Sequence, residues 1–163
     1  MKRLLWFLSI LVVVLGSCSI PFSVETEPAV ITLPVQTQAA SIYDEESVAI
    51  PEQARRDAIS YDRVRIYYQI HTDSIFTARV QIWISDPQTA DGSLDETSEK
   101  VIDVEISGGD SVSGWTDSVA LRAALNARNE RFVVGGVAQS LIGGGTVKVT
   151  VHAEISGTVN PAR

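Results

Sequence analysis

Strict alternation of apolar and polar residues is the feature that most constrains the fold of this chain. In residues 63–71 the even positions are apolar, namely Val64, Ile66, Tyr68 and Ile70. Residues 76–85 repeat the pattern with Phe76, Ala78, Val80, Ile82 and Ile84. A period of two residues is typical of a strand with one face in the core and one in solvent. We therefore predict a hairpin of two half-buried strands, in which Ile70 pairs with Phe76.

Further strands are predicted along the rest of the chain, separated by glycine and proline. The expected inward residues are Ile102, Val104 and Ile106 in one strand and Val147, Val149, Val151, Ala153 and Ile155 in the last. Shorter strands are predicted at 47–51, 112–115 and 132–139, and a glycine turn at 143–145. One helix is predicted over Ser118–Arg128, with Asp117 or Thr116 as its N-cap. This pattern predicts an all-β fold, an antiparallel β-sandwich that is immunoglobulin-like in outline with one short helix; a small barrel is the alternative.

The N-terminus combines a basic start, Met1-Lys2-Arg3, with an apolar stretch from Leu4 to Leu15 and the sequence Leu15-Gly16-Ser17-Cys18. These are features of a secretory signal, and the last four residues resemble the lipobox of bacterial lipoproteins. The resemblance implies that residues 1–17 are a signal peptide, that Cys18 is diacylated, and that the protein is anchored in the bacterial cell envelope. Lipoproteins that are retained at the inner membrane carry an aspartate directly after the cysteine. This chain has Ser19 at that position, which implies the outer membrane if the cell has two membranes. The alternative is an uncleaved anchor, but this stretch spans about 18 Å of a hydrocarbon core of about 30 Å.

Two segments are predicted in the mature chain. Residues 18–40 carry Pro21, Pro28 and Pro34 without a clear period, which indicates the lipidated N-terminus and a semi-extended tether; an edge strand over Ala29–Leu33 is the alternative. Residues 41–163 form the predicted β-sandwich domain, long enough to bury a sizeable core. Cys18 is the single cysteine, so no disulfide is expected.

The chain is acidic, with a net charge of −7, and loss of Lys2 and Arg3 with the signal makes it more so. Nucleic acid is therefore not an expected partner. Acidic side chains concentrate in the loop that contains Asp91, Asp95 and Glu96. Two interpretations stay open for this loop: a solvated acidic loop, or a calcium site, because calcium prefers oxygen ligands. No other cofactor is predicted.

The sequence does not predict an enzyme. His71 and His152 are the only two histidines, both fall on outward positions, and no Gly-x-Ser-x-Gly motif frames a serine.

A binding face is predicted instead, because Trp83 and Tyr67 point outward from the predicted hairpin beside Arg65 and Arg79. Exposed aromatic side chains on a sheet can contact a protein or a sugar ring; an ordinary arginine–tryptophan pair is the alternative. We thus expect a lipid-anchored envelope protein that presents its sandwich for protein interaction or a structural role. The second hypothesis is a ligand-binding module for glycan or calcium.

Overall fold

The structure is a computed structural model that describes residues 19–37, 41–73, 76–85 and 98–160. The elements in chain order are β1 (Ile20–Glu25), β2 (Ala29–Val35), β3 (Ile42–Ala49), a 3-10 helix (Glu52–Arg55), β4 (Ile59–Thr72), β5 (Thr77–Ser85), β6 (Glu99–Ser107), β7 (Ser111–Asp117), α1 (Val119–Asn126), β8 (Arg131–Ile142) and β9 (Gly145–Val159).

The strands form two antiparallel sheets. In the first sheet β1 and β2 lie end to end along one edge of β9, and β4 and β7 follow on the other side; the second sheet has the order β3-β8-β5-β6. Thr26 carries the pairing across the gap between β1 and β2, because its N–H donates to Ala153 O over 3.0 Å and its Oγ1 accepts from Ala153 N over 2.9 Å. If β1 and β2 are counted as one interrupted strand, this order is the double Greek key of a jelly roll.

The prediction of an antiparallel β-sandwich with one short helix is confirmed. The predicted inward sets also hold, since Val64, Ile66, Ile70, Ala78 and Val80 are all 0 % exposed. The same is true of the last strand, where Val147, Val149, Ala153 and Ile155 are 0 % exposed and Val151 is 1 % exposed. Within the sandwich class, the strand order is that of a jelly roll rather than the immunoglobulin order.

The predicted hairpin between β4 and β5 is wrong. β4 lies between β9 and β7 in the first sheet, whereas β5 pairs with β6 and β8 in the second. Alternation fixes which face of a strand is buried but not which strand lies beside it, and both strands meet the core with even-numbered residues. The first sheet therefore contains β4, which ends at Thr72, and the second contains β5, which begins at Thr77. The glycines at 143–144 likewise connect β8 to β9 across the sandwich.

The predicted tether is also corrected, because β1 and β2 are part of the sandwich. β2 pairs with β9 from Ala29 to Val35, and its inward side chains Ile31 and Leu33 are 2 % and 0 % exposed. Prolines are tolerated here because this is the edge of the sheet. The first strand predicted for the domain, 47–51, corresponds to β3, which spans Ile42–Ala49.

Helix α1 begins at Val119, because Ser118 is the N-cap rather than the predicted Asp117 or Thr116. Its Oγ accepts from Leu121 N over 3.1 Å. The carboxylate of Glu99, at the start of β6, accepts from Ser118 Oγ over 2.7 Å and from Ala120 N over 2.9 Å. A carboxylate at a helix N-terminus satisfies free N–H groups and complements the helix dipole.

We expect Glu99→Gln to lower the free energy of unfolding by about 1–2 kcal/mol, because the substitution removes the charge from this cap. Urea denaturation measures the loss. Glu105→Gln is the matched control, since Glu105 is an exposed residue of the same strand. Equal stability of the two variants would show that the cap contributes nothing specific.

Candidate binding face on the first sheet

The four residues of the predicted binding face do not share one face. Arg65 and Tyr67 project from β4 on the outer side of the first sheet, and Arg79 and Trp83 project from β5 on the outer side of the second. The two pairs therefore lie on opposite sides of the sandwich. The error follows from the wrong hairpin, since the predicted face required β4 and β5 to be neighbours.

On the second sheet Trp83 is only partly exposed. It pairs in register with Gly135 of β8, and Lys100 Nζ lies 5.7 Å from the centroid of its ring. The indole Nε1 is buried and has no hydrogen-bond partner among the described residues. Trp83 is thus a poorer contact residue than its outward position in the sequence indicates.

Arg79 forms an ion pair within a cluster of charged side chains on the second sheet. Its Nε and Nη2 donate to the two carboxylate oxygens of Asp103 over 2.7 and 2.8 Å, and Lys100 Nζ lies 2.8 Å from the same carboxylate. These hydrogen bonds hold the pKa of Asp103 well below its usual range, and the bond to Asp103 raises the pKa of Arg79. An exposed network of this kind contributes little to stability, and it leaves Arg79 engaged within the protein.

The first sheet carries three aromatic side chains in register across three strands. His152 of β9 and Trp115 of β7 both pair with Tyr67 of β4. The rings of Tyr67 and His152 stack, with centroids 5.2 Å apart and planes 6° apart. Trp115 is 50 % exposed. We call His152, Tyr67 and Trp115 the aromatic row.

A charged row borders the aromatic row on one side and is formed by Glu154, Arg65 and Asp117, again in register. The guanidinium carbon of Arg65 lies 3.7 Å from the ring centroid of Trp115, a cation–π distance. Tyr67 Oη donates to Glu154 Oε2 over 2.8 Å. These contacts hold both rings in fixed positions from the charged side.

A polar row borders the aromatic row on the other side and consists of Thr150, Gln69 and Ser113. All three side chains are uncharged, and the short ones leave space above the sheet. The result is an open trough of about 380 Å³ beside the aromatic row. Its lining residues are Tyr67, Tyr68, Gln69, Ser113, Gly114, Trp115, Thr150 and His152.

The trough offers aromatic ring surface, hydroxyls, one imidazole and one carboxamide, which are groups that can contact a ligand. His71, beyond the polar row, places its Nδ1 3.0 Å from Ser111 Oγ as part of an exposed pair. Among the described residues no group of three or more His, Cys, Asp or Glu is placed to hold a metal ion. The predicted calcium loop with Asp91, Asp95 and Glu96 lies outside the described residues, and so does Cys18.

Trp115 and His152 are the residues of the face that the sequence prediction missed. The outward position of Trp115 in the predicted strand at 112–115 was a usable signal. No signal in the sequence indicated that Trp115 and His152 lie beside Tyr67, because these neighbours arise from pairing between strands that are far apart in the chain.

In the part of the chain that the structure describes, no helix has the length and apolar character needed to cross a membrane.

The fold and this face together define a jelly-roll β-sandwich with an aromatic trough on one sheet. No protein-family model matches the chain, and no curated protein matches it either. Among solved structures, the chain is similar to a chain of infectious bursal disease virus, Gx strain, with 9 % identity and a TM-score of 0.42. That match covers 91 % of this chain and 35 % of the viral chain, so this chain spans about a third of that length.

Two further solved structures are similar to the chain. The decameric BFDV capsid protein is 10 % identical with a TM-score of 0.43, and the match covers 85 % of this chain and 98 % of that protein. A chain of the cowpea mosaic virus top component, a naturally occurring empty particle, is 9 % identical with a TM-score of 0.35. That match covers 83 % of this chain and 82 % of the viral chain.

Proposed function

We propose that this protein is a lipid-anchored, non-enzymatic binding module of the bacterial cell envelope, which engages its partner through the outer face of the first sheet. The observation that carries the proposal is the aromatic row, in which half-exposed Trp115 stands in register with Tyr67 and His152. Exposed aromatic side chains next to polar ones are typical of binding surfaces.

The open form of the trough supports binding rather than catalysis. A hydrolytic site requires a nucleophile, a base and an orienting group that converge where water is excluded. The trough instead lies on an open sheet, where its side chains are available for contact with a partner.

The proposal of a lipid anchor is supported by the lipobox-like sequence that ends at Cys18. β1 begins at Ile20 and pairs with the last residue of β9, Val159. An acyl chain on Cys18 would therefore hold this end of the sandwich at the membrane, while the first sheet would extend away from it. Stable attachment needs more than one acyl chain, which agrees with the diacylated cysteine that the lipobox implies.

Metabolic labelling with an alkyne analogue of palmitate tests the anchor. We expect the wild-type chain to be labelled and Cys18→Ser to carry no label, because the thiol is the acceptor. Ser19→Ala is the matched control and should keep the label. A labelled Cys18→Ser protein would contradict the proposal.

The face is tested in the same cells with a photo-cross-linking amino acid at position 113, in the trough, or at position 81, on the opposite side of the sandwich. We expect discrete adducts, with protein or glycan, from position 113 only, and their loss on Trp115→Ala. Equal adducts from both positions would exclude a partner specific to the trough.

A further inference from the structure

We infer that the trough takes a pyranose ring of a neutral saccharide, with Trp115 as the stacking surface and the polar row as the hydrogen-bonding floor. The inference rests on the proposed function of this face and names the chemical class of its ligand.

The orientation of Trp115 is the first argument. Arg65 covers one face of the indole at 3.7 Å, and it belongs to the charged row, on the far side of the aromatic row from the trough. Trp115 is itself a lining residue of the trough, so we place its other indole face toward the trough. A pyranose presents a patch of C–H groups on one face of its ring, and this patch packs well against an indole that is already held in place.

The floor of the trough supplies the second argument. Gln69, Ser113 and Thr150 provide two hydroxyls and one carboxamide, which both donate and accept hydrogen bonds. Sugar hydroxyls have the same double capacity, and they lie around the rim of the ring. A ring stacked on Trp115 can thus direct its hydroxyls toward these three side chains.

Charge and size are the third argument. No lining residue of the trough is a carboxylate, a lysine or an arginine, so a charged ligand would lose hydration without gaining a counter-charge there. The volume of about 380 Å³ lies in the range of small-ligand sites, about 300–1,000 Å³. The floor crosses three strands spaced about 4.8 Å apart, so it is about 10 Å long. These dimensions favour one or two sugar rings over the broad surface that a protein partner covers.

The inference is tested by fluorescence titration of the lipidated mature protein in a detergent without a sugar headgroup, such as lauryldimethylamine oxide. The chain has three tryptophans, and Trp6 lies in the predicted signal, so Trp83→Phe leaves Trp115 as the sole reporter. The probes are cellotetraose, maltotetraose and chitotetraose, with tetragalacturonate as the charged comparison. We expect a saturable change in Trp115 emission with at least one neutral probe and none with tetragalacturonate.

Matched glutamine variants then test the geometry. Gln69→Ala should weaken binding of the active probe about tenfold, the effect of one lost hydrogen-bonding group. Gln81→Ala, on the outer face of the other sheet, should leave binding unchanged. Thermal melting establishes that both variants are folded.

Two results would overturn the inference. The first is that no neutral probe changes Trp115 emission up to about 10 mM, beyond the millimolar range of weak binding. The second is that Gln69→Ala and Gln81→Ala weaken binding equally. Trough-specific cross-links to a protein alongside the first result would leave the proposed function standing and remove only the saccharide.

Discussion

A chain that begins at residue 41 is expected not to fold, whereas a chain that begins at Ser19 is expected to melt cooperatively. The shorter chain lacks β1 and β2, which cover one edge of β9 along nearly its whole length. Besides Ala29, it also lacks the three larger core side chains of β2, Ile31, Leu33 and Val35, which are at most 3 % exposed. Burial of each contributes about 1.5–3 kcal/mol, so their sum approaches a total stability of about 5–15 kcal/mol.

Circular dichroism during heating compares the two chains directly. A single pair of substitutions in β2 refines the result. Leu33→Ala should cost about 2–5 kcal/mol, because it leaves a cavity in the core, whereas Val30→Ala should cost little, because Val30 is 45 % exposed. If the chain from residue 41 melts at the same temperature as the longer one, β1 and β2 are not part of the folding unit.

Gly157→Ala is expected to destabilise the protein by about 3 kcal/mol or more, at the upper end of what overpacking costs. A Cβ added at Gly157 would lie 2.2 Å from Ser60 O and 3.1 Å from Tyr61 Cα. Both are backbone atoms of β4, next to the irregularity in its pairing with β9 between Tyr61 and Arg63. No side-chain rotation relieves such a contact, so the two central strands of the sheet must separate.

The matched control for this substitution is Gly135→Ala. Its Cβ would meet the ring of Tyr43 at 2.9 Å, and that ring is the far end of a side chain that can move. Equilibrium denaturation in urea should therefore give a clearly smaller loss for Gly135→Ala. A Gly157→Ala protein as stable as wild type would mean that β4 and β9 can separate locally without cost.

Alternation predicted the buried faces well because it is a local property. Val64 and Ile66 of β4 and Val147 and Val149 of β9 point to the core whatever their neighbours are. The partners of each strand depend on the whole topology, and among the strands that the structure describes only β5 and β6 are consecutive and pair with each other. The tether prediction was wrong for a different reason. Prolines weaken the strand signal in a sequence, but they are compatible with a strand at the edge of a sheet.

The same distinction explains the outcome at the candidate site. Tyr67 and Arg65 were recognised from their outward positions in β4. Trp83 was grouped with them by the wrong strand pairing, while their actual companions are Trp115 and His152, from β7 and β9. A row of side chains across three strands depends on the register in which those strands pair. The register between strands that are distant in the chain cannot be predicted from the sequence of any one of them.

The closeness of β1 to Cys18 limits the reach of the protein if that cysteine carries lipid as proposed. Only Ser19 separates Cys18 from the first paired residue, Ile20. β9 has 15 residues and rises about 3.3 Å per residue, so the opposite tip of the sandwich would then stand at most about 50 Å above the lipid. The exposed side chains Leu141 and Ile142 lie at that tip, and the aromatic row stands at about half that height. A protein attached in this way would stay close to the membrane surface, so its ligand would have to reach the trough at that fixed height.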